Sequence, residues 1–135
     1  MLRLEIAALY CGVNILLLLV LAYLVTSGRR RHKITLGDGG HEAMSRTIRA
    51  HANAAEYIPA GLIGIVVLSL FESLPIWILH GGGISLTLGR VLHAWGLHTG
   101  AFNQARVLGT ALSWLAYLII GAARIYAGVS HQLGG

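Results

Sequence analysis

From Ile6 to Ser27 the chain runs 22 residues without a charged side chain, and Arg29, Arg30, Arg31 and Lys33 follow at once. That length matches the roughly 20 residues an α-helix needs to cross a hydrocarbon core of ~30 Å. A bilayer offers no water to backbone N–H and C=O groups, so they must pair within the segment, and a helix does this. The basic residues come after the apolar run, whereas a cleaved signal peptide carries them before it. A retained span with a juxtamembrane anchor is therefore expected, and nucleic-acid binding by the basic run is set aside. Cys11, the sole cysteine, stands near the start of the apolar run and not after it, so neither a lipoprotein cleavage site nor an internal disulfide is expected.

The rest of the chain is built in the same way. Of 135 residues, 56% are hydrophobic and 11% charged, against about 25% charged in soluble domains. The mean hydropathy is +0.70. This composition predicts an all-α, integral membrane four-helix bundle forming a single domain over 1–135, with spans at about 5–27, 42–74, 84–100 and 107–128. Gly37-Asp38-Gly39-Gly40 reads as a turn, and Pro75, Trp77 and Gly81-Gly82-Gly83 as the second connection. Pro59 predicts a kink in span two. The first loop is strongly basic, the third carries Arg106, and the second has no Lys or Arg. The positive-inside rule then places loops one and three in the cytoplasm and both termini opposite.

Charged groups inside spans cost about 2.5–3.5 kcal/mol on insertion scales, so each one marks a functional hypothesis. Arg49, Asn53 and Glu56 stand at i, i+4 and i+7 and line one helix face, which Arg46 extends outward. Arg90 and His93 share a face of span three. Glu56 and Arg90 are expected to form a buried ion pair, which leaves Arg46, Arg49, His93 and Arg106 in cationic excess. Guanidinium groups clamp carboxylates, so such a site calls for an anionic ligand. His32, His41, His80 and His131 are expected in solvated loops or termini, and no metal-ligand spacing occurs, so no metal is expected.

Arg49-Ala50-His51-Ala52-Asn53-Ala54-Ala55-Glu56-Tyr57-Ile58-Pro59 resembles the span-two signature R-x-x-x-N-x-x-E-x-x-P of the membrane-associated proteins in eicosanoid and glutathione metabolism, the MAPEG family. Gly89-Arg90-Val91-Leu92-His93 is similar to that family's span-three motif. Within the family the chain looks closest to the small bacterial inner-membrane branch. The resemblance implies a homotrimer with three sites between neighbouring subunits, open to the cytoplasmic side. It also implies glutathione as co-substrate and a hydrophobic small-molecule electrophile entering from the lipid bilayer.

By position, Arg49, Asn53, Glu56 and Tyr57 would hold glutathione from span two, with Arg90 and His93 from span three. One of Arg29–Arg31, assigned as Arg30, would reach it from span one. Arg106 stands where transferase-type members keep an arginine beside the glutathione sulfur. His93 and Leu97 occupy the places where well-known members have tyrosines. A glutathione transferase or peroxidase is the leading reading. A non-catalytic glutathione binder and a small membrane transporter subunit are the alternatives.

Overall fold

In the computed structural model, residues 2–100 and 102–133 are described, apart from the side chains of His131 and Leu133. The expectation for His131 therefore lies outside the described residues. Four helices follow one another: α1 (Leu2–His32), α2 (Glu42–Ser69), α3 (Ile76–Thr99) and α4 (Gln104–Leu133). The integral membrane bundle expected from composition is what these helices build.

The basic residues Arg29–Arg31 belong to the last turn of α1 and not to a loop, where cations meet the negative end of the helix dipole. Lys33 then adopts a left-handed φ of 55°. Its N–H bonds the Arg30 carbonyl and the Ile34 N–H bonds the Arg29 carbonyl, the two-bond C-terminal closure that glycine usually supplies. In the loop that follows, Gly37, Gly39 and Gly40 all have positive φ. Asp38 accepts the Gly40 N–H at 3.0 Å, and that bond holds its carboxyl below the usual carboxylate range.

The α2 helix runs through Pro59 without ending. It stops at Ser69, earlier than the expected 74, in a tightened turn where Leu70 and Phe71 bond Val67 and Leu68. The largest departure lies in α3. Trp77, His80 and Gly81–Gly83, expected in a connection, sit inside the helix, which starts right after Pro75. A Cβ on Gly82 would stand 2.8 Å from the Ile120 side chain, and one on Gly83 would collide with the Tyr10 ring. The glycines thus bring α1 and α4 close to α3. Lipid offers an unwound backbone no partners, so they do not break the helix. His80 is no loop residue: its Nδ1 shares a 2.9 Å hydrogen bond with the Tyr10 hydroxyl.

Both α2 and α3 touch the other three helices, whereas α1 and α4 do not meet. By length and apolarity, α1, α2 and α4 each qualify to cross a membrane. The 24 residues of α3 would reach about 36 Å, and its Arg90 and His93 are buried among its neighbours. Far from the basic end, Ile65, Leu68, Leu79, Leu86, Ala116 and Ile120 form the main core. Toward the basic end, Leu21, Ala50, Ala54, Ile58, Ala94 and Leu97 pack a smaller one.

Candidate functional site

Close contact between α3 and α4 organises the site. A Cβ on Gly89 would lie 2.9 Å from the Gly109 carbonyl, and one on Gly96 would lie 2.6 Å from the Arg106 nitrogen. With hydrogen at these positions the two backbones touch, and α4 presents its polar atoms to Arg90. That guanidinium, 1% exposed, donates from Nε to Ser113 Oγ at 2.8 Å and from Nη2 to the Gly109 carbonyl at 3.2 Å. Its Nη1 donates to Asn53 Oδ1, and its carbon stands 4.5 Å from the centroid of the Tyr57 ring.

The expected ion pair between Glu56 and Arg90 does not form. Glu56 is exposed, and among the described residues the one ion pair joins Arg46 to Glu42. The reason is rotational. The inward edge of the α2 stripe is Asn53, and neutral acceptors on α2 and α4 take the guanidinium's protons. Its charge therefore has no carboxylate counterpart at that depth, a costly arrangement without compensation.

In front of Arg90 opens a cavity of about 190 Å³ lined by Ser45, Arg46, Arg49, Asn53, His93, Leu97 and Arg106. Four of the residues singled out from sequence (Arg49, Asn53, His93 and Arg106) thus come together, with Arg46 beside them. Three arginines and a histidine face this space, and no carboxylate lines it. His93 is 7% exposed. The remaining candidates stand elsewhere. Arg90 supports Asn53 from behind the cavity. Tyr57 lies beneath Arg90, its hydroxyl accepting the Trp114 indole N–H at 3.1 Å and its carbonyl the Tyr117 hydroxyl at 2.8 Å. Glu56 continues the stripe on the exposed surface, and Arg30 is exposed at the end of α1.

Arg106 also lines a second space, an apolar groove of about 330 Å³ formed with Phe102, Val107, Thr110, Ala111 and Trp114. Its position is set by Asn103, which sequence reasoning does not single out. Asn103 Oδ1 caps the Arg106 N–H at 3.0 Å, while its Nδ2 donates to the Gly96 carbonyl at 2.7 Å and to Thr99 Oγ1 at 3.1 Å. An asparagine just before a helical run is a cap signal that could have revealed it. Ser113, reached across 23 residues from Arg90, carries no such local signal.

Comparison with known proteins agrees with this architecture. The MAPEG family model matches residues 7–126. The chain is 31% identical over 121 residues to the inner membrane protein YecN of Escherichia coli K12, an alignment covering 90% of this chain and 91% of that protein. The YecN of E. coli O6:H1 matches equally. The chain is thus an integral membrane protein that belongs to the MAPEG family.

Proposed function

We propose that this protein is a glutathione-binding membrane enzyme that transfers glutathione to, or reduces with it, hydrophobic electrophiles. The reading rests above all on Arg106, the one described residue shared by the cation-lined cavity and the apolar groove. Glutathione has two carboxylates, one amine and one thiol. Arg46, Arg49 and Arg106 suit the carboxylates and Asn53 a peptide group, while Glu56, farther along the stripe, suits the amine. A free thiol has a pKa of about 8.5, so a guanidinium beside the sulfur raises the thiolate fraction near neutrality. The thiolate attacks the electrophilic carbon of a substrate lying in the apolar groove. A sulfur–carbon bond forms, the leaving group departs with its electron pair, and no bond to the protein is made.

A cavity of about 190 Å³ falls below the ~300 Å³ usual for small-molecule sites. One chain therefore encloses part of a tripeptide, which supports a homotrimer whose neighbouring copy supplies the missing wall. Arg30, exposed on α1, would enter from that neighbour. The inner-membrane relative and the basic end of the bundle support a bacterial inner membrane with loops one and three cytoplasmic.

In detergent, glutathione addition to the purified protein should produce the ultraviolet band of a thiolate, and a lipophilic aryl halide should then be consumed. Both should be lost in Arg106→Ala. An equal thiolate band in that variant would remove Arg106 from the chemistry. His93 and Leu97, standing where tyrosines hold glutathione in well-known family members, favour a second reading as a non-catalytic binder. Saturable glutathione binding without turnover across a panel of electrophiles would establish that reading instead.

A further inference from the structure

The first turns of α2 separate two clefts. Ser45, Arg46 and Arg49 face the cavity already described, whereas Ala43, Met44 and Thr47 line a second one of about 220 Å³ between α1, α2 and α3. We propose that this second cleft is a binding site for the phosphate headgroup of an anionic phospholipid. It shares no lining residue with the arginine cavity, and the proposal does not depend on the glutathione reading.

Three observations point to this ligand. The polar wall is cationic or hydrogen-bonding, with Arg31 and His32 from the last turn of α1, Thr47 from α2 and His98 from the end of α3. The apolar wall is Leu24 and Met44, and Leu24 belongs to the apolar run that ends at Ser27. The cleft thus sits where hydrocarbon gives way to headgroups, with an acyl-compatible side and a phosphate-compatible side. Charge balance agrees as well. Among the described residues the only ion pair is Arg46–Glu42, so Arg29, Arg30, Arg31 and Lys33 have no carboxylate partner. Arg29 Nε is buried without a hydrogen bond. The His41 ring packs against His32 with centroids 4.5 Å apart, which backs the polar wall with loop residues.

Native mass spectrometry of the full chain in detergent, with phosphatidylglycerol, phosphatidylcholine or inorganic phosphate added, tests this directly. Phosphatidylglycerol should be retained in preference to phosphatidylcholine. A basic residue near the surface contributes about 1 kcal/mol to such binding, so Arg31→Gln should weaken retention about fivefold and Arg31→Lys should restore most of it. Arg124→Gln, the same charge change on an exposed residue of the opposite end, should leave retention unchanged. Equal retention of the two lipids, an Arg31→Gln variant that behaves as wild type, or equal losses in Arg31→Gln and Arg124→Gln would overturn the site. Displacement of the lipid by an equal concentration of inorganic phosphate would overturn the lipid assignment.

Discussion

The α1 and α3 helices share a bundle but divide its polarity in opposite ways. Along α1, Leu9, Ile15, Leu16, Leu19 and Val20 are all more than half exposed, and its polar interior residue Asn14 is fully buried. There Asn14 donates to Thr87 of α3 at 2.8 Å. In α3 a guanidinium and an imidazole are buried among three neighbouring helices. Lipid is as apolar as leucine, so burying a leucine gains little in a membrane and association rests on close packing and hydrogen bonds. Of these two helices, the enclosed one is therefore α3, which lacks the long apolar window of α1. Its His93 lines the cavity while Arg90 lies behind it. Water-soluble intuition, in which the greasiest helix goes to the centre, has the order reversed.

Substitutions can break this contrast, and the largest effect belongs to Arg90. Arg90→Ala removes three hydrogen bonds from Asn53, Ser113 and Gly109 and should cost about 3 kcal/mol or more, read by denaturant unfolding in detergent. A near-neutral result would show that the α2–α3–α4 junction holds without it. Gly89→Ala should cost about 1–3 kcal/mol, because the methyl group would meet Gly109 and Ser113 backbone atoms at 2.9 Å. Asn14→Ala on α1 should lose nearer 0.6 kcal/mol, an average for hydrogen bonds between membrane helices, since Asn14 Oδ1 has no partner to lose. If Asn14→Ala proved more damaging than Gly89→Ala, hydrogen bonding would outweigh close packing in this bundle. At the end of α1, Lys33→Gly should raise stability by up to about 1 kcal/mol, because Lys33 holds a left-handed φ of 55°.

Much of the fold and part of the site are legible in the amino-acid sequence. The uncharged run ending at Ser27 and the i, i+4 spacing of Arg49 and Asn53 are local signals, and both describe real helix faces. Helical spacing does not say how far a helix is rotated in the bundle, so it pairs Arg90 with Glu56 where the fold supplies Asn53. Gly81–Gly83 mislead for another reason. Glycine breaks helices where water competes for the backbone, and here α1 and α4 cover it. Ser113 and the Gly109 carbonyl, which hold Arg90, are long-range partners set by the α3–α4 contact and have no signature in their own segments.

If the arginine cavity exists to hold glutathione, calorimetric titration of the purified protein with that tripeptide will show it. The comparison is between wild type and Arg49→Ala, whose side chain is exposed at the cavity. One hydrogen bond to a charged group contributes about 1.5–3 kcal/mol. Saturable binding by wild type and at least about tenfold weaker binding by Arg49→Ala is the predicted result. Absence of binding in wild type, or equal affinity in the two proteins, would contradict it.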